Sequence, residues 1–154
     1  EWRIVTPSGR LKWLQGSSRP EKQPNGDIIW DGLIMDVTER KRAEEEKQRL
    51  VALIENSPDF IGMTTLEGNN IFVNEAGMKL VGLQNEKQVQ KIHIADYHIP
   101  EDWAYLEKEV LPKVITEGRW EGEFRFRHFQ TGETIPIEYN IFTIKDQKTG
   151  VPIA

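Results

Sequence analysis

Apolar and polar positions alternate with a period of two along three opening stretches of the chain. Trp2 and Ile4 oppose Arg3 and Val5, Leu11 and Trp13 oppose Lys12 and Leu14, and Ile28 to Asp36 reads as a third strand. Pro7-Ser8-Gly9 supplies the first turn, and Pro20 to Asp27, holding Pro24-Asn25-Gly26, supplies a longer polar one. Three strands joined this way predict an antiparallel meander. At about 36 residues it buries too little apolar surface to fold alone.

The period then changes to that of a helix, from Glu39 to about Asn56. Asp36 is placed to cap its first amides, with Glu39, three residues on, reaching back in a capping box. Arg40, four residues from Asp36, is within ion-pair reach of it. The first half of the helix is polar all round, and the second half gains Leu50, Val51, Leu53 and Ile54. Ala43, Lys47, Leu50 and Ile54 recur at a 4-3-4 spacing, which fits either a short coiled-coil seam or a solvated linker whose last turns pack on the next domain. Ser57-Pro58 ends the helix.

A second β-rich segment begins at Asp59. Phe60 to Leu66 and Asn70 to Val73 predict paired strands about the turn Glu67-Gly68-Asn69. Asn74 is a helix cap, and Gly82 stops that helix. Gln84 to His98 suggests short helices and loops. Pro100 opens a longer helix carrying Trp103, Leu106, Val110, Val114 and Ile115, with a kink expected at Pro112 and a stop at Gly118. The alternation is cleanest afterwards: Trp120, Gly122, Phe124 and Phe126 against Glu121, Glu123, Arg125 and Arg127, then Ile135, Ile137, Tyr139 and Ile141 on a partner strand. Phe142 and Ile144 fall on its otherwise polar face, which therefore needs a cover, either a helix or another subunit. Val151 to Ala154 begins a last strand.

Composition narrows the functional classes. The 154 residues include no cysteine, which excludes disulfides, thiolate metal sites and cysteine nucleophiles. A net charge of −5 argues against a nucleic-acid surface, because the basic run Arg40-Lys41-Arg42 is followed at once by Glu44-Glu45-Glu46. No apolar run approaches the roughly 18 residues a membrane span needs, so no direct membrane contact is expected, and the lack of cysteine fits an expected cytoplasmic setting.

Several motifs are more specific than periodicity. Phe72-Val73-Asn74-Glu75-Ala76 with Leu80-Val81-Gly82, His98-Ile99-Pro100-Glu101-Asp102, and Gly118-Arg119-Trp120-Glu121-Gly122-Glu123-Phe124-Arg125 resemble the PAS sensor domain. Glu1-Trp2-Arg3, Gly9, Trp13 and the run Asp36-Val37-Thr38-Glu39-Arg40-Lys41 resemble the last three strands and Asp-x-Thr end (PAC motif) of a preceding PAS domain. The resemblance implies an α+β chain in three parts. Residues 1–38 would be the C-terminal part of a first PAS domain and 39–56 a signalling helix. Residues 57–154 would be a second PAS domain, an antiparallel five-stranded sheet with helices on one face, lacking most of its last strand. It implies a non-catalytic sensory and relay module of a bacterial sensor histidine kinase or, less often, a diguanylate cyclase, with Asp36, Thr38, Glu39 and Arg40 at the signal exit. A homodimer through the linker helix and sheet face, and a downstream kinase domain as partner in a phosphorelay, are implied by the same resemblance.

The family's pocket lies between sheet and helices, so Phe72, Ile92, Tyr97, Phe124, Phe126, Ile137 and Tyr139 are candidate lining residues. Core filling accounts for the same residues, since each sits where periodicity demands an apolar side chain. Haem is disfavoured because Asp102 to Glu117 lacks a histidine, and thiol-linked flavin because the chain lacks cysteine. His93 and His98 flank Asp96 without strict metal-ligand spacing, which leaves them surface or capping roles and predicts no metal. Glu121 and Glu123, with Arg125 and Arg127 on the same face, read as a mutually neutralising surface and not as a catalytic acid pair.

Overall fold

The opening alternation forms β1 (Trp2–Val5), β2 (Leu11–Lys22) and β3 (Ile28–Asp36), an antiparallel sheet in that order. β2 runs through Pro20, where the sequence predicts a turn. Since β1 pairs only with Leu11 to Leu14, the rest of β2 is open on one side, and an edge strand tolerates a missing amide. Every residue of β3 is exposed, including Trp30 at 65% and Ile34 at 63%. The computed structural model describes all residues, Glu1–Ala154, and they cluster into two compact units, Glu1–Ala52 and Leu53–Ala154. Helix α1 (Thr38–Glu55) is continuous across that division.

In the second unit β4 (Gly62–Thr64) pairs with β5 (Asn70–Val73), and a register shift at Met63/Thr64 makes β4 shorter than its alternation suggests. Asn74 caps α2 (Glu75–Val81) by accepting from the Gly77 amide, and Gly82 ends it in the left-handed conformation at φ 77°. α3 (Glu86–Val89) and a 3-10 turn (Ile94–Tyr97) lead to a long helical segment in three pieces: α4 (Pro100–Tyr105), a π turn (Leu106–Val110) and α5 (Leu111–Glu117). The irregularity expected at Pro112 therefore lies one turn earlier. Proline has no N–H and its ring crowds the carbonyl four residues back. The chain inserts an extra residue ahead of it, so that the Leu111 amide bonds to the Leu106 carbonyl.

β6 (Arg119–Arg127) and β7 (Thr134–Phe142) form a nine-residue antiparallel ladder. The five-stranded sheet expected from the sequence is not continuous: β4-β5 and β6-β7 are separate pairs. Residues after β7 turn back and contribute a single bridge, Lys145 with Pro152. The Ile153 amide then donates to the Ile144 carbonyl and the Ile144 amide to the Ala154 carbonyl, both at 2.8 Å.

Two apolar clusters hold this unit together. Val73, Val81, Leu83, Val89, Tyr97 and Phe126 form one, and Leu106, Val110 and Val114, recurring every four residues, form the other. Tyr139 packs against both.

Candidate functional site

The turn from β3 into α1 is fixed by side chains that the register brings together. Leu14 opposes Asp36, which puts Lys12 diagonally across on the same face, and its Nζ reaches Asp36 Oδ2 at 2.7 Å. Asp36 Oδ1 accepts from the Thr38 amide at 3.0 Å and from the Thr38 hydroxyl. Thr38 is 8% exposed, and its Oγ1 accepts from the Trp13 amide at 2.9 Å. Lys12 and the two Thr38 donors hold the Asp36 carboxyl well below the usual carboxylate range.

The capping box expected between Asp36 and Glu39 does not form, and neither does the Asp36–Arg40 pair. The helix starts at Thr38, whose hydroxyl and amide occupy Asp36 Oδ1, while Lys12 occupies Oδ2. Glu39 pairs instead with Arg42 at 3.2 Å, and Arg40 reaches Glu1 and, at 3.1 Å, Gln15. Replacing Asp36 by Ala should loosen the joint, because the Lys12 ammonium and the Thr38 amide and hydroxyl lose their shared acceptor. Amide exchange should accelerate at Trp13 and in the first turn of α1.

The other end of α1 is tied by Asn74, which is fully buried. Its Nδ2 donates to the carbonyls of Ile54 and Asp59 at 3.0 Å and of Ser57 at 3.4 Å, while Oδ1 accepts from the amides of Ile61 and Gly77 at 3.0 Å. One side chain thus joins the end of α1, the approach to β4 and the start of α2. Between these ends the seam residues Ala43, Lys47, Leu50 and Ile54 are exposed.

A cleft of about 720 Å³ lies between the edge of β4 and the edge of β7. Of the seven predicted lining residues, Tyr97, Phe126, Ile137 and Tyr139 border it, together with Phe60, Asn70 and Ile94, which periodicity does not single out. Phe72, Ile92 and Phe124 do not. Phe72 sits half-buried opposite Met63, Ile92 packs into the first cluster, and Phe124 stacks on Tyr105 and meets Trp120 in the second. Burial pushes the Tyr97 hydroxyl up to about 12 against the opposing pull of the neighbouring Asn70 side chain, which lies beside the hydroxyl without completing a well-formed hydrogen bond to it. Burial also raises Tyr139.

His93 has a capping role: its Nδ1 accepts from the Ala95 amide and its own amide donates to Asp96 Oδ2 at 2.8 Å. His98 has neither of the roles expected of it. It is 4% exposed, its Nδ1–H donates to the Arg125 carbonyl at 3.2 Å, and the rings of Trp103, Phe124, Phe126 and Tyr139 surround it. Burial lowers its pKa from 6.5, against the opposing pull of the Arg125 carbonyl and of Asp102. Above 6.5 this group is neutral in both states and adds no pH dependence. As pH falls below that value the unfolded chain takes up a proton that the folded chain refuses, so stability declines until the lowered folded value is reached. The urea midpoint should therefore fall as pH drops below neutral, and His98→Gln should flatten that slope.

The outer face of β6-β7 carries Arg119, Arg125 and Arg127 beside Glu121, Glu123 and Glu138, and its charges are only partly paired with one another. Arg125 turns to Asp102, with two bonds at 2.8 and 3.0 Å, and Arg119 pairs with Glu121 at 2.7 Å. Glu123 is left directly opposite Glu138.

A profile of the PAS fold matches residues 48–150. Among solved structures, a PAS domain from Colwellia psychrerythraea is 28% identical, with a TM-score of 0.63 over 71% of this chain and 89% of its own. The PAS domain of an HTR-like protein from Haloarcula marismortui is 26% identical, with a TM-score of 0.60 over 71% of this chain and 88% of its own. A domain of a sensory box sensor histidine kinase/response regulator from Geobacter sulfurreducens shares the fold at 16% identity and a TM-score of 0.57, over 66% of this chain and 87% of its own. No curated protein matches. With the family profile spanning two thirds of its length and the cap, helices and β6-β7 ladder placed as described, the chain belongs to the PAS fold family.

Proposed function

We propose that this chain is the sensory and relay part of a two-component signalling protein. The PAS domain of the second unit detects a cue or pairs with a second copy, and α1 carries the resulting bias toward a downstream histidine kinase. In this reading Glu1 to Thr38 is the end of an upstream PAS domain, and the whole works in the cytoplasm as a homodimer. No helix is long and apolar enough to cross a membrane. The observation that carries the proposal is that α1 is tied at both ends by buried polar side chains, Thr38 at 8% exposure and Asn74 at 0%, while its middle makes little contact. With each end anchored in its own unit, a shift at one end would be felt at the other as a change in the population of helix arrangements. Reversing the charge at Asp36 with Lys, beside Lys12, should change phosphotransfer output of the intact protein while Leu53–Ala154 stays folded. Unchanged output would overturn the relay.

The cleft supports a further part of this reading. The cleft is bordered by β4 on one side and by β7 on the other, where a cue could bear on the sheet. A second reading, a dedicated small-ligand domain, is favoured by one observation, the polar edge that Tyr97 and Asn70 give to that cleft. Absorption spectra and mass spectrometry of the purified chain decide it: a colourless, ligand-free protein removes that reading. A diguanylate cyclase as output domain would leave the role of α1 unchanged.

A further inference from the structure

We propose that the second unit senses acid: a proton taken up by His98 releases the start of α4 from β6. The inference rests on the sensory reading above and names the proton as a cue. His98 joins the 3-10 turn to α4 in an extended conformation, at φ −115° and ψ 158°, and its side chain is buried. Trp103 of α4, Phe124 and Phe126 of β6 and Tyr139 of β7 stand around the imidazole, with ring centroids 5.3 to 6.4 Å away. Trp103 and Phe124 belong to one apolar cluster and Phe126 to the other. The imidazole is thus a wedge where the two clusters meet and where α4 begins.

Only one of its nitrogens is satisfied. Nδ1–H donates to the Arg125 carbonyl, which leaves Nε2 as the atom that takes up a proton. Nε2 is buried without a partner, so the cation would set a new N–H donor against carbon. The aromatic faces return part of the lost hydration through cation–π contact, and the rest is regained only in water. No charged group around the ring supplies an acceptor in place. Asp102, which lies with Glu101 in the first turn of α4, is held by the Arg125 guanidinium at 2.8 and 3.0 Å. Asp96 accepts from the His93 amide, His93 meets Trp103 edge-on at 5.9 Å, and burial raises the Tyr97 and Tyr139 hydroxyls, which stay neutral. A His98 side chain that swings outward gains water and the pull of the Asp102 carboxyl, both of which favour its charged form. The start of α4 then loses its wedge, while Leu106, Val110 and Val114 still hold the rest of the segment.

The closed form excludes the proton and the open form takes it near the ordinary 6.5, so acid drives opening. Below 6.5 the open-to-closed ratio should grow by up to about tenfold per pH unit, until the lowered closed value is reached. Amide exchange of the whole chain from about pH 8 to 5, with the intrinsic pH dependence of exchange divided out, tests this. Protection of the Trp103 and Leu106 amides should fall along that slope and recover at neutral pH, while the Gly118 amide keeps its own. His93→Asn and His128→Asn, which retain a side-chain acceptor, should follow the wild type, and His98→Gln should show no pH dependence. NMR of the imidazole should place protonation of His98 at the midpoint of the opening, a result that decides the matter even where His98→Gln is already open at neutral pH. Protection unchanged by acid, a ring that stays neutral through the opening, or a His98→Gln chain that follows the wild-type curve would overturn the switch and leave the relay through α1 standing. Acid opening that leaves phosphotransfer output of the intact protein unchanged would instead overturn the sensory reading on which this rests.

Discussion

Asn74→Ala should lower the unfolding free energy of this chain by about 3–5 kcal/mol, more than any other polar truncation in it. The side chain is fully buried and holds three carbonyls and two amides. Its loss orphans several of these at about 1–3 kcal/mol each, reduced by whatever water enters, and removes the cap of α2. Asn74→Asp separates the two halves of that role. It keeps the acceptor for the Ile61 and Gly77 amides but sets a carboxylate among the carbonyls of Ile54, Ser57 and Asp59, so it should rescue little. Urea unfolding checks both variants. The effect should also appear as faster amide exchange at Ile61 and Gly77, the two donors left without an acceptor.

Leu106→Ala should cost about 2–5 kcal/mol, the range for a leucine emptied from a close-packed site. Leu106 is 1% exposed and packs with Val110 and Val114 against the start of β6, where Trp120 and Phe124 lie. The π turn that begins at Leu106 fixes which face of the segment meets the sheet, so the neighbours cannot easily close the hole. Ile115→Ala, on the same segment but 54% exposed, should stay within about 0.5 kcal/mol of wild type. Equal losses at the two positions would mean that the second cluster does not anchor the helix.

Local periodicity makes most elements legible. The β6-β7 ladder can be read from alternation, α1 from its change of period, and the Asn74 cap from a polar residue placed before an apolar helix. What stays hidden depends on residues far apart in the chain. Asn74 as a cap is local, whereas Asn74 as a hub requires Ile54, Asp59 and Ile61 to fold back around it. Asp36 is legible as a residue of the joint, but its partner Lys12 comes from β2-β3 register and not from helical spacing. Phe124 and Phe126 share one periodicity yet belong to different clusters, because the long helical segment covers only the first part of β6. The burial of His98 leaves no local trace, because the four aromatic rings around it come from other elements.

The relay through α1 is tested most directly by changing its phase without touching either anchor. One alanine inserted in the exposed stretch between Ala43 and Lys47 rotates the two ends by about 100°, whereas seven inserted residues, close to two full turns, nearly restore their relation. Phosphotransfer output of the intact signalling protein should be altered by the single insertion and return toward wild type with seven. Output indifferent to both insertions would contradict the proposal that α1 transmits the signal.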